Sequence, residues 1–173
     1  MFRLDKKAHR NFHILFGIVV VIVIADQWTK MAIIGSFRLG ESLRIWSDYV
    51  ALTYVRNQGA AFSLFNSAPA WIREPFFIAL PLVAFGVIAV IFARQPNLPR
   101  PTVISLSLVC GGALGNLIDR IRFGYVIDFL HFHFREVYHW PMFNVADCCI
   151  VVGVSVMFVL SFKNGKRGSP ALY

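Results

Sequence analysis

Apolar residues along this chain run in long unbroken blocks and do not alternate with polar ones at a helix or strand period. Four blocks, at about 12–34, 75–93, 101–118 and 141–162, come near or reach the roughly 20 residues a helix needs to cross a hydrocarbon core about 30 Å thick. The last three open on Pro75, Pro101 and Pro141. Proline suits a first helical position, where no N–H is needed. The pattern predicts an all-α membrane protein with four transmembrane helices, arranged as a single integral membrane domain over residues 1–173.

Two longer connections separate the spans, at 35–74 and 119–140. Within the first, "SLRIWSDYVALTYVRN" is rich in β-branched and aromatic residues with partial alternation, which predicts a small β-structured lobe beside the membrane. "APAWIREP" reads as interfacial, with Trp71 as a headgroup-level anchor. The aromatic-rich "FGYVIDFLHFHF" of the second connection is expected to lie against the membrane.

Composition excludes an ordinary soluble domain. Hydrophobic residues are 57% of the chain and charged residues 15%, with a net charge of +8. Nine of the 17 basic residues fall in three short segments: Arg3, Lys6, Lys7 and Arg10; Arg94 and Arg100; Lys163, Lys166 and Arg167. Only Asp5 is acidic among them. Basic residues in short flanks mark the cytoplasmic side. Both termini are therefore expected there, with residues 35–74 and 119–140 outside. The excess charge is a topology signal and an attraction to anionic lipid, not a nucleic-acid footprint. The first span follows basic residues as a secretory signal would, but no small-x-small cleavage site follows "VIVIADQWTK", so it reads as an uncleaved anchor. Cys110, Cys148 and Cys149 all lie in spans and read as packing residues.

With that orientation, polar residues converge at one depth. Asp26 stands about eight residues before the outer end of the first span, roughly 12 Å deep. "GGALGNLIDR" brings Asn116, Asp119 and Arg120 to the outer mouth of the third. Asn144 and Asp147 sit in the first turns of the fourth, roughly 5–9 Å in. The second span has no ionisable residue from 76 to 93. Each residue has a plainer explanation. Asp26 and Lys30, four apart, can neutralise each other. Asp119 and Arg120 can buttress a helix end, and Gly111 and Gly115 have the spacing of a close-packing face. Asp128, alone in a loop, can be a solvated charge. Asp147 differs, because no Lys or Arg lies within a helical turn to neutralise it. An acid in hydrocarbon costs about 2.5–3.5 kcal/mol on insertion scales, which favours function. "HFHF", His139 and "DCC" hold nominal metal ligands, but their spacing matches no zinc pattern, so no metal is expected.

Five blocks in order, "DQWTK" (26–30), "RNQGAAFS" (56–63), "GGALGNLIDR" (111–120), "YVIDF" (125–129) and "FNVAD" (143–147), resemble the lipoprotein signal peptidases, or signal peptidase II. Ile127 stands where valine is frequent, which touches no chemistry. The resemblance implies an intramembrane aspartyl endopeptidase of the bacterial plasma (inner) membrane. Such an enzyme removes the signal peptide from diacylglyceryl-modified prolipoproteins, cutting just before the lipidated cysteine. It implies a catalytic dyad of Asp128 and Asp147. Asn57, Gly59, Asn116, Asp119, Arg120, Asn144 and Ala146 would shape the substrate site, and Asp26 would support it. No cofactor is implied; the partners are lipidated precursor and membrane lipid, and the enzyme is expected to act as a monomer. Two carboxylates sharing a proton can hydrolyse a peptide without metal or nucleophile.

A proton- or ion-coupled transporter also uses intramembrane acids. It would want a site at mid-membrane, whereas here nothing polar continues through the inner half of the second and fourth spans. A non-catalytic scaffold would leave Asp147 without a purpose.

Overall fold

A computed structural model describes residues 6–59, 69–95, 97–135 and 137–165. Arg3, Asp5, Lys166 and Arg167 of the basic tails, and residues 60–63 of the "RNQGAAFS" block, lie outside the described residues. Among the described residues, four helices carry the fold: α1 (Lys6–Ser36), α2 (Ala70–Arg94), α3 (Arg100–Phe123) and α4 (Val145–Gly165). All four are long and apolar enough to cross a membrane. Their surfaces agree. Phe16, Val21, Ile24, Leu80, Val83, Val87, Val151 and Phe158 are all exposed, an apolar surface suited to lipid.

Two of the three proline-marked helix starts differ from expectation. Of the three prolines, only Pro101 sits in the first positions of its helix. α2 begins before Pro75 and holds both Pro75 and Pro81 internally, which membrane helices tolerate when neighbours satisfy the freed carbonyls. Pro141 stands four residues ahead of α4. That helix starts at Val145 because Asn144 caps it. The Asn144 side-chain oxygen accepts the Asp147 N–H at 2.9 Å, and an Asp147 oxygen accepts the Asn144 N–H at 3.2 Å. This reciprocal pair is a capping box with aspartate in the glutamate position.

α3 is the centre of the bundle, packing on α4, α1 and α2. Half of its most apolar stretch is buried, against 11% for each of the others. Glycines make the approach possible. A Cβ at Gly112 would collide with the Ala146 carbonyl, and one at Gly115 would stand 2.6 Å from Asp26 Oδ2. At the turn between α2 and α3, Asn11 Nδ2 donates to the Leu98 carbonyl at 3.1 Å, tying the start of α1 to that end.

The other end of the bundle carries an antiparallel sheet in the order β1 (Ser42–Trp46), β2 (Val50–Asn57), β3 (Val126–Phe134), β4 (Tyr138–His139). Two of its strands come from the second connection, so the lobe is not confined to the first. The sequence hid β3 because its first four residues are all buried, leaving no apolar–polar alternation to read. Gly124 makes the sharp exit from α3. Its φ of 74° is left-handed, a region open to glycine at little cost. Ile127 and Phe129 of β3 pack with Ile33 and Tyr54, which fixes the strand on the end of α1.

Candidate active site

Asp128 and Asp147 arrive from different elements, β3 and the first turn of α4. One residue joins them. Asn144 Nδ2 donates to Asp128 Oδ1 at 2.7 Å, while its backbone and side chain are locked to Asp147 by the cap. The same amide also reaches Asn116 Oδ1 at 3.1 Å and the Ile127 carbonyl at 3.2 Å.

The second oxygen of Asp128 accepts from Asn57 Nδ2 at 2.8 Å. Asn57 is aimed by Gly59, whose N–H donates to its side-chain oxygen at 2.9 Å. A bulge in β2 makes this contact possible. Leu52 pairs with Leu130, but Val55 pairs with Asp128, so one extra residue lies between. Because side chains alternate between faces, that one-residue slip turns Asn57 to the Asp128 side of the sheet. Asp147 is held likewise, with Asn116 Nδ2 donating to its Oδ1 at 2.8 Å.

The two acids differ in their surroundings. Asp128 is 2% exposed, whereas Asp147 is half-buried. Burial first, and then the neighbouring Asp147 carboxylate, push the Asp128 carboxyl up to about 7, against the pull of the Asn57 and Asn144 amides and the Lys30 charge. Asp128 therefore carries a proton near neutrality more readily than an ordinary aspartate. Asp147 lies in the first turn of α4, at the positive end of its helix dipole.

Behind the acids lies a buried charged cluster. Lys30 Nζ is 2.8 Å from Asp26 Oδ2 and 2.8 Å from Asp119 Oδ2, so Asp26 and Lys30 do more than neutralise each other. Asp26 Oδ1 accepts the Ala146 N–H at 3.0 Å, and Asp119 Oδ2 accepts the Ile127 N–H at 3.1 Å. Arg120 acts through its charge. Its guanidinium lies 4.5 Å from the centre of the Phe77 ring and interacts electrostatically with Asp128, Asp147 and Asp119. The structure thus brings together every residue the sequence nominated. Sequence reasoning passed over Gln27, whose amide donates to Asp119 at 2.8 Å, to the Gly115 carbonyl at 3.2 Å and to Asp26 at 3.3 Å. Its place one residue from Asp26 carries no signal of that role.

The histidines lie elsewhere. Alternation along β3 puts His131 and His133 on the face opposite Asp128. His131 Nε2 and His139 Nδ1 share a hydrogen bond at 3.0 Å. Among the described residues, no three His, Cys, Asp or Glu side chains group so as to hold a metal ion.

Known proteins resemble this chain over most of its length. The family model described as Signal peptidase (SPase) II matches residues 18–163. A lipoprotein signal peptidase of Geobacter sulfurreducens is 42% identical over 160 residues, covering 92% of this chain and 98% of that one. One from Clostridium tetani is 36% identical over 146 residues, covering 84% and 90%. The chain belongs to the lipoprotein signal peptidase family. A bacterial membrane enzyme solved by the in meso method at 2.3 Å resolution superposes with a TM-score of 0.80 at 27% identity, covering 92% of this chain and 93% of its own. As a member of the signal peptidase II family, the protein is a peptidase, and its four apolar helices make it a multi-pass membrane protein.

Proposed function

We propose that this peptidase removes the signal peptide from diacylglyceryl-modified prolipoproteins, cutting just before the lipidated cysteine, with Asp128 and Asp147 as an aspartyl dyad. The observation that carries the proposal is Asn144, a single residue hydrogen-bonded to both acids. Asp147, the more exposed acid and the one at a helix N-terminus, is the base. It takes a proton from water as the oxygen adds to the scissile carbonyl carbon, while protonated Asp128 gives its proton to the carbonyl oxygen. When the tetrahedral intermediate collapses, Asp147 hands its proton to the leaving nitrogen, the C–N bond breaks, and a hydroxyl proton returns to Asp128. Two neighbouring carboxylates that repel each other do not both ionise cheaply, which keeps one proton in the pair. Arg120 and the Asn57 and Asn116 amides supply charge and neutral donors beside the reacting groups.

The dyad lies where α1 and α3 end and α4 begins, at the sheet end of the bundle. The basic residues Lys6, Lys7, Arg10, Arg94, Arg100 and Lys163 all lie at the opposite end. By the distribution of short-loop charges, the site faces the outer side of the bacterial inner membrane, with both termini in the cytoplasm. A substrate's acyl chains can then stay in the bilayer while its peptide reaches water. In a variant lacking the native cysteines, a cysteine placed at Ser42 should react with an impermeant reagent added outside intact cells, and one at Asn97 should not. The reverse pattern overturns the orientation.

The activity is tested with purified protein and a prolipoprotein, with or without the diacylglyceryl group. Signal peptide should be released from the lipidated precursor and from little else. Equal cleavage of the unmodified precursor would contradict the proposed substrate.

A further inference from the structure

We infer that Lys30 is a positioning residue, a single buried ammonium that sets both acids of the dyad in register. The inference rests on the peptidase proposal and deepens it. Lys30 is fully buried. Its three hydrogens have three acceptors: Asp26 Oδ2 at 2.8 Å, Asp119 Oδ2 at 2.8 Å and Asn116 Oδ1 at 3.0 Å, so its donor capacity is fully used. Each arm leads to the dyad in one further step. Asp26 accepts the N–H of Ala146, the residue before Asp147. Asp119 accepts the N–H of Ile127, the residue before Asp128. Asn116, with its oxygen claimed by the ammonium, turns its amide nitrogen to Asp147 Oδ1 at 2.8 Å. The start of α4 and the start of β3 are thereby both measured from one atom.

Charge balance alone does not explain this arrangement. One cation facing two carboxylates leaves the cluster net negative. Buried ion clusters are also often no more stable than apolar replacements of similar volume. What an apolar cluster cannot do is grip two backbone N–H groups and orient an amide. Misplacing reacting groups by about 1 Å costs on the order of 10²-fold in rate.

The charge also acts on Asp128. The groups facing that carboxyl are Asn57 from β2, Asn144 from the cap of α4, Asp147 from its first turn, Lys30 from α1, and Arg120 from α3. Lys30 favours its ionised form. Removing the ammonium therefore lets Asp128 hold its proton to higher pH.

The test uses the full-length protein in detergent, with lipidated precursor as substrate and thermal melting as the control for folding. Lys30→Met should lower kcat by about 10²-fold, change KM by less than about threefold, and move the alkaline fall of kcat/KM to higher pH. Because the single variant leaves two buried carboxylates without a cation, the double variant Lys30→Met with Asp119→Asn restores the original net charge of the cluster. It should melt closer to the parent, yet keep the low kcat. Recovery of kcat in the double variant to within about threefold of the parent would reduce Lys30 to a counter-charge and overturn the inference. Failure of both variants to fold would overturn it too, by making the residue structural. A parent protein that releases no signal peptide would refute the peptidase proposal, not this one.

Discussion

Replacing either acid by its amide, Asp128→Asn or Asp147→Asn, should lower turnover of lipidated precursor by about 10²–10⁴-fold, the range expected for one positioned acid or base. The double variant should lose no more than the worse single one, because residues that act as a unit fail together. Asparagine preserves volume and one acceptor oxygen. At position 128 the neighbouring donors from Asn57 and Asn144 keep at least one partner. At position 147 the side-chain oxygen can still accept the Asn144 N–H of the helix cap. Folding, insertion and binding of precursor should therefore persist in all three variants, as read by melting and by co-purification with precursor. What disappears is the shared proton. Retention of more than about a tenth of parental turnover by Asp128→Asn, above what loss of even a weak general acid would leave, would remove Asp128 from the chemistry.

The bundle was legible in the sequence because bilayer thickness imposes a length that no local competition can hide. Its helix boundaries were less so. Proline at a block's edge suggests a helix start, whereas α2 runs through Pro75 and Pro81 and α4 waits for the Asn144 cap. The site showed only in part. Asp147 stood out because its own helix offers no neutralising charge. Asp128 looked ordinary on spacing alone and drew notice through the family motif, since its partners lie on β2 and α4, far away in sequence. Asn57 reaches Asp128 only because of the bulge between Leu52 and Val55, which no periodicity announces. Lys30 showed its bond to Asp26 through their spacing of four, but its contact with Asp119 crosses from α1 to α3 and is a product of close packing at Gly115.

The division of labour proposed for the dyad makes the sharpest demand. Asp128 is the buried member, pushed up to about 7 by burial and by Asp147, and it must be protonated to act as the acid. Its protonated fraction stays near complete well below that pH and falls about tenfold per pH unit above it. The pH dependence of kcat/KM reports the acids and bases of the free enzyme, so it tests the shared proton directly, in parent protein and with no substitution to disturb the fold. Measured on lipidated precursor in detergent, kcat/KM should decline from about pH 7 and lie about 10²-fold lower at pH 9. A value that holds level or rises between pH 7 and pH 9 would show that no protonated carboxyl is needed, and would contradict the dyad mechanism.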